Sequence, residues 1–231
     1  MQDAPLSLTH LFQRAERLFH AKHVITKSPL GREQIDYGTW ANRTRRLASV
    51  LDLLEIGADA RVATFAWNTG RHLELYFGPP CAGRVTHTLN LRLFPDQLTY
   101  IVNHAEDEIL FVDASVAPML WPLLPTFETV RHVVVMDDCG TGAPELPPGA
   151  RLSRDQVHDY EQLLTQVEPA DLPPITDENQ AAAMAYTSGT TGNPKGVVYS
   201  HRSIVLHTIG ATMADSVGLS ERDVVLPVVP M

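Results

Sequence analysis

Short apolar, β-branched runs alternate along this chain with longer stretches in which apolar positions recur every three or four residues. That alternation predicts an α/β fold, a largely parallel sheet with flanking helices. Residues 8–19 read as a first helix. Trp40, Leu47, Val50, Leu51 and Leu54 fall on one face of a second, with Thr39 as candidate N-cap and Gly57 as C-terminal cap. Strands are expected at 61–66, 85–89, 108–113, 130–136, 182–186 and 196–200. Helices are expected near 71–77, 96–105, 116–124, 160–166 and 201–215, and a last apolar run predicts a strand over 224–229. Glycine and proline make 140–149 a loop and 169–174 a linker. No internal repeat is visible. The chain divides into 1–58, helices and a strand, and 59–231, an α/β subdomain carrying a loop at 187–196 and the start of a next subdomain.

That loop holds the densest chemistry in the chain. Thr187, Ser188, Thr190 and Thr191 bring four hydroxyls, Gly189, Gly192 and Gly196 three glycines, and Lys195 one ammonium. Glycine lets successive N–H groups line a concavity that suits an anion. Hydroxyls add neutral donors and the lysine a mobile positive charge. The pattern suits a polyphosphate. A flexible linker is the plain alternative, but apolar 181–186 leads directly into the loop and β-branched 197–199 leads directly out. Counting excludes two other loops. From Gly189, Pro194 occupies the second glycine's place in a Walker A loop, and the place two residues before Ser188, glycine in a nucleophile elbow, holds Tyr186.

Strands joined by crossover helices pair in parallel and bind ligands at their carboxyl ends, where this loop leaves its strand. Other candidates carry less. His201 and His207 are six apart and share no helical face well, so packing or surface roles are expected. His87 and Asn90 read as structural. Asp137 and Asp138 precede a Gly/Pro loop and read as turn makers rather than metal ligands.

Composition narrows the partners. Net charge is −9, from 18 basic and 27 acidic residues among 231, with no basic stripe, so nucleic acid is not an expected partner. Cys81 and Cys139 stand far apart without metal-ligand spacing, which fits two thiols in a reducing compartment. No apolar run approaches the ~18 residues of a membrane span, and no signal-peptide pattern opens the chain. A cytoplasmic location is expected, with peripheral membrane contact left open.

The run Tyr186-Thr-Ser-Gly-Thr-Thr-Gly-Asn-Pro-Lys-Gly196 resembles the phosphate-binding signature of the adenylate-forming (AMP-binding) enzymes. Arg71-His-Leu-Glu-Leu-Tyr-Phe77, His87-Thr-Leu-Asn90, Asn103-His-Ala-Glu-Asp107 and Val198-Tyr-Ser-His-Arg202 are similar to the fatty acyl-CoA synthetase branch. The resemblance runs from about Leu6 onward. It implies an ATP-dependent medium- or long-chain fatty acid–CoA ligase, in which carboxylate and ATP give acyl-AMP and pyrophosphate, and CoA then displaces AMP. Its cofactors and substrates would be ATP, Mg²⁺, fatty acid and CoA. Thr187, Ser188, Gly189, Thr190, Thr191, Gly192 and Lys195 would bind the β- and γ-phosphates, with Thr187 also the Mg²⁺ ligand. Lys195 would shape and charge the loop, and no residue of the chain would be catalytic.

Two local departures stand out: Pro79-Pro80 is expected to interrupt a helix, and Leu91 replaces a proline common in the family. The family pattern also continues beyond Met231 into acyl and adenine pockets, an acidic Mg²⁺ ligand, a ribose-binding aspartate and a C-terminal domain with the catalytic lysine. The expectation is therefore an incomplete N-terminal domain, inactive alone. An aryl- or amino-acid-activating ligase is the alternative within enzymes, and a naturally short, non-catalytic binding or dimerisation module the alternative outside them. The branch includes homodimers, and an exposed 224–229 run would favour self-association.

Overall fold

The computed structural model describes residues 4–187 and 193–229. Helix α1 (Leu8–Leu18) is followed by an antiparallel hairpin, β1 (His23–Ser28) and β2 (Gly31–Asp36), that forms its own two-stranded sheet. Helix α2 (Tyr37–Leu53) then leads into β3 (Arg61–Phe65), α3 (Gly70–Cys81), β4 (Val85–Thr88), α4 (Pro95–Ala105) and β5 (Asp107–Asp113). A short α5 (Ala117–Leu120) and a 3-10 segment (Trp121–Thr126) precede β6 (His132–Met136), β7 (Val157–Asp159) and α6 (Tyr160–Thr165). The chain ends with β8 (Ala181–Thr187), β9 (Lys195–Ser200) and α7 (His201–Thr212).

The main sheet has the order β7-β6-β5-β3-β4-β8-β9. Every neighbouring pair is parallel except β8 and β9, which a short loop joins as an antiparallel hairpin. A parallel sheet must be covered on both faces, and the central strands alternate accordingly. Ala63, Leu110, Val112, Val133 and Val135 face a core closed by Leu98, Ile101 and Val102 of α4, with Leu120 and Trp121. Val62, Ile109, Phe111, Val134 and Met136 face the opposite core, closed by Leu47, Leu51, Leu75, Leu163 and Leu164 from α2, α3 and α6. A third cluster, built on Phe12, Trp40 and Ala182, packs α1 against α2 and β8.

Several expectations need correction. Helix α2 starts two residues before Thr39, because the Asp36 carboxylate accepts the Thr39 N–H at 2.6 Å and caps it. It ends at Leu53, and the left-handed residue beyond it is Glu55 (φ 54°), not Gly57. Pro79-Pro80 does not interrupt α3, which runs on to Cys81. Pro79 cannot bond the Leu75 carbonyl, and the Thr86 hydroxyl of β4 donates to that carbonyl instead, at 2.7 Å. The run 224–229 is not a strand: Val224, Leu226, Val228 and Val229 are exposed, and Pro227 removes a donor that a ladder would need. The N-terminal strand is two strands, hidden by the polar Arg32-Glu-Gln34 stretch of β2.

One buried ionic cluster locks the helices of the second core to each other. Glu74 of α3, fully buried, receives Arg43 Nε at 2.6 Å from α2 and the Tyr160 hydroxyl at 2.5 Å from α6. Arg43 also forks onto Glu161 at 2.8 and 3.0 Å, and Glu161 accepts Arg71 Nε at 2.8 Å. Burial pushes the Glu74 carboxyl upward, and Arg43 opposes that. Breaking such a cluster from one side strands its partners. Glu74→Ala is therefore expected to cost ~3–5 kcal/mol in urea unfolding, and Glu168→Ala, whose pair with Arg46 is exposed, under ~1 kcal/mol. Equal costs would show that the cluster does not hold the three helices.

Candidate functional site

The parallel strands β3, β4, β5, β6 and β8 end along one edge of the sheet, and the candidate loop leaves that edge from β8. Thr187 is the last residue of β8 and Lys195 the first of β9; they face each other as the final pair of the hairpin. Thr187 Oγ1 donates to the Lys195 carbonyl at 3.5 Å, a long contact that leaves the hydroxyl free to turn toward another acceptor. Both side chains are exposed. Ser188, Gly189, Thr190, Thr191 and Gly192 lie outside the described residues. The structure thus brings together the two ends of the expected site, a hydroxyl and an ammonium.

The next pair inward is Tyr186 and Gly196. A Cβ at Gly196 would stand 3.0 Å from Tyr186 Cζ and 3.2 Å from its hydroxyl oxygen, so glycine is needed for close approach to the phenol ring. The Tyr186 hydroxyl in turn meets His104 Nδ1 of α4 at 2.6 Å.

Farther along the edge the loops after β3, β5 and β6 meet in a second polar cluster. Asp113, at the end of β5, accepts the Trp67 N–H at 2.7 Å, while its Oδ1 is buried without a partner among the described residues. Asp138 accepts Ser115 N–H at 2.9 Å and its hydroxyl at 2.5 Å, and Ser115 Oγ accepts Trp67 Nε1 at 3.0 Å. Burial pushes the Asp113 carboxyl up to about 7, with the Trp67 N–H opposing and Asp138 reinforcing. Sequence reading missed Asp113, because a single acidic residue ending an apolar strand carries no spacing signal.

The histidine expectations and that for Asp137 are met where described, but Asp138 is not a turn maker: its buried carboxylate holds Ser115 of another loop. His87 is fully buried against Asp107, with Nδ1 at 2.8 and 2.9 Å from the two carboxylate oxygens. His201 is buried and its Nδ1 accepts the Leu8 N–H at 3.2 Å, whereas His207 is exposed. Asp137 accepts four consecutive N–H groups, Cys139 to Gly142, which makes it a turn residue. His72, not singled out from sequence, donates from Nδ1 to the Trp67 carbonyl at 3.1 Å, so its Nε2 accepts the Thr64 hydroxyl at 3.0 Å. Burial lowers it to about 4. Cys81 and Cys139 are free thiols.

At the hairpin mouth the ammonium and hydroxyl suit phosphate oxygens. Thr187 Oγ1 is the hydroxyl oxygen at the mouth among the described residues, beside the Lys195 carbonyl. Among the described residues no three His, Cys, Asp or Glu side chains cluster as a metal site, and no helix is long and apolar enough to cross a membrane.

The AMP-binding enzyme family model matches residues 12–231, and the chain belongs to that family. It is 45% identical over its full length to a 3-methylmercaptopropionyl-CoA ligase of Ruegeria pomeroyi, of which it covers 42%. It is 43% identical, again over its full length, to a long-chain-fatty-acid–CoA ligase of Thermus thermophilus, of which it covers 40%. The chain therefore spans about two-fifths of the length of these relatives. Among solved structures, a putative long-chain-fatty-acid CoA ligase from Rhodopseudomonas palustris superposes with a TM-score of 0.76 at 18% identity, over 98% of this chain and 52% of that one. That likeness supports the fold.

The Asp113 carboxyl yields a pH prediction. Its folded value lies above its ordinary 3.8, so the native state holds the extra proton between about 4 and 7. Stability from this group is present at low pH and is lost as pH rises through 7, by at most ~1.4 kcal/mol per pH unit. Asp113→Asn keeps an acceptor for Trp67 N–H and is expected to remove that slope, gaining stability relative to wild type at pH 7.5 more than at pH 5. Parallel urea titrations at the two pH values check it; an equal effect at both would place the proton elsewhere.

Proposed function

We propose that the chain is the phosphate-binding part of an ATP-dependent acyl-CoA ligase. The observation that carries the reading is the Thr187–Lys195 pair, exposed at the carboxyl edge of a parallel sheet on either side of a glycine- and threonine-rich connection. In this reading a carboxylate oxygen attacks the α-phosphorus of ATP, the bond to the bridging oxygen breaks, and pyrophosphate leaves. CoA thiol then attacks the acyl carbon and AMP departs.

The residues of the loop act on the leaving group. Thr187, Ser188, Gly189, Thr190, Thr191, Gly192 and Lys195 hold the β- and γ-phosphates, and donors fixed in advance stabilise the charge that grows there. A magnesium ion would share that neutralisation, and Thr187 Oγ1 is the oxygen this chain would offer it. Medium- and long-chain fatty acids are the proposed substrates. A short thioether acid is the second reading, favoured by the 45% identity to the Ruegeria pomeroyi relative. Comparing kcat/KM for octanoate, palmitate and 3-methylmercaptopropionate in a chain of the relatives' length separates them. The reading fits a cytoplasmic protein and divides it at residue 58, before the α/β subdomain.

Loss of a hydrogen bond to a charged group costs about 1.5–3 kcal/mol, or roughly ten- to a hundredfold in rate where the contact matters most in the transition state. In a chain of the relatives' length, Thr187→Ala is expected to slow acyl-AMP formation by that factor and to raise the Mg²⁺ requirement. Thioester formation from supplied acyl-AMP, where no pyrophosphate is present, is expected to change far less. Pre-steady-state measurement of each half-reaction decides it, since equal losses in both would mean that Thr187 supports the fold and not the phosphates.

A further inference from the structure

Tyr186 is clamped on three sides just inside the hairpin mouth. Its hydroxyl meets His104 Nδ1 at 2.6 Å, and the two rings stand edge to face at 5.9 Å. His104 is itself held by Tyr100, one helical turn earlier on α4, with the rings stacked at 5.1 Å and 29°. On its other side the Tyr186 ring lies 5.3 Å from that of His87, which Asp107 fixes in the core. The remaining contact is with Gly196, whose backbone lies against the phenol so closely that no Cβ fits without displacement.

Helix α4 is therefore tied through a single hydrogen bond to the residue pair that adjoins Thr187 and Lys195. The position of the phenol sets that of Gly196, and Gly196 is covalently joined to Lys195 as Tyr186 is to Thr187. We propose that His104 is a positioning residue for the hairpin mouth: by holding the Tyr186 hydroxyl it fixes the Thr187–Lys195 spacing at which phosphate oxygens are met. This rests on the phosphate-binding reading for its ligand, but not for its geometry. A phenol released from His104 can swing away from Gly196, and the end pair of the hairpin then loses the backing that keeps it in register. His104 touches no ligand in this scheme, and its effect passes through Tyr186.

Two measurements on this chain test the proposal. The first is MgATP affinity by titration calorimetry for wild type, Lys195→Ala, His104→Ala, Tyr186→Phe, the His104→Ala/Tyr186→Phe double variant and His104→Asn. The second is amide hydrogen exchange at Thr187 and Lys195, with Ala183 and Tyr199 at the far end of the hairpin as reference. His104→Ala and Tyr186→Phe are each expected to weaken MgATP three- to tenfold, and the double variant no more than either alone, because both remove one hydrogen bond. His104→Asn, whose Oδ1 occupies the place of Nδ1, is expected to stay within twofold of wild type. Exchange should quicken at the mouth and not at the far end in His104→Ala, Tyr186→Phe and the double variant, and stay at the wild-type rate in His104→Asn.

Unchanged affinity in His104→Ala while Lys195→Ala weakens binding overturns the proposal, as do additive losses in the double variant or an unaltered exchange rate at the mouth. If wild type binds no MgATP, the phosphate-binding reading falls. Exchange at the mouth then decides by itself whether His104 sets the geometry there.

Discussion

A parallel sheet buried on both faces is the constraint from which the rest of this structure follows. Residues of β3, β5 and β6 alternate between two apolar cores with almost no polar interruption, so each face needs a layer of helices. Crossover connections supply those layers and force the strands to run the same way. Their carboxyl ends then gather along one edge, and the loops that carry chemistry leave from there. The hairpin of β8 and β9 is the exception that uses this edge most directly. A short connection replaces a crossover helix, so the chain reverses and sets Lys195 opposite Thr187.

Buried polar groups divide the structure into parts held rigid and a part left accessible. Glu74, Arg43, Tyr160 and Glu161 bind three helices to each other, and His87 with Asp107 fills the core. Their mutual contacts suit structural roles, although His87 Nε2 is buried without a partner among the described residues. Asp113 likewise keeps one carboxylate oxygen buried without a partner among the described residues, and burial pushes its carboxyl up to about 7. It sits among loop residues Trp67, Ser115 and Asp138 on the same edge as the hairpin. Perturbed carboxyls gather at functional edges, but burial is the chief cause of this shift, with Asp138 adding to it.

The outer strand of the hairpin, β9, remains open. Val197, Val198 and Tyr199 of β9 and Leu206 and Ile209 of α7 are exposed, although their composition is that of buried elements. Their apolar character explains why sequence periodicity reads them as strand and helix so clearly. Local pattern was sufficient for their secondary structure, and burial did not need to follow.

Sequence alone determined the alternation of strands and helices, the parallel sheet, and the loop with its hydroxyls, glycines and lysine, because periodicity and loop composition are local properties. It located Asp137 as a turn maker and His87 as structural from their immediate neighbours. Tertiary structure decided what depends on distant partners. Pro79 and Pro80 end in a continuous helix because Thr86, on another strand, satisfies the carbonyl they leave free. The 224–229 run joins no sheet, since a strand exists only where a neighbouring edge accepts it. Asp113 acquires its raised affinity for a proton from the loops that bury it, and His104 meets Tyr186 across 82 residues of chain. Hydrogen-bond partners of that separation are set by packing, and no window of sequence contains them.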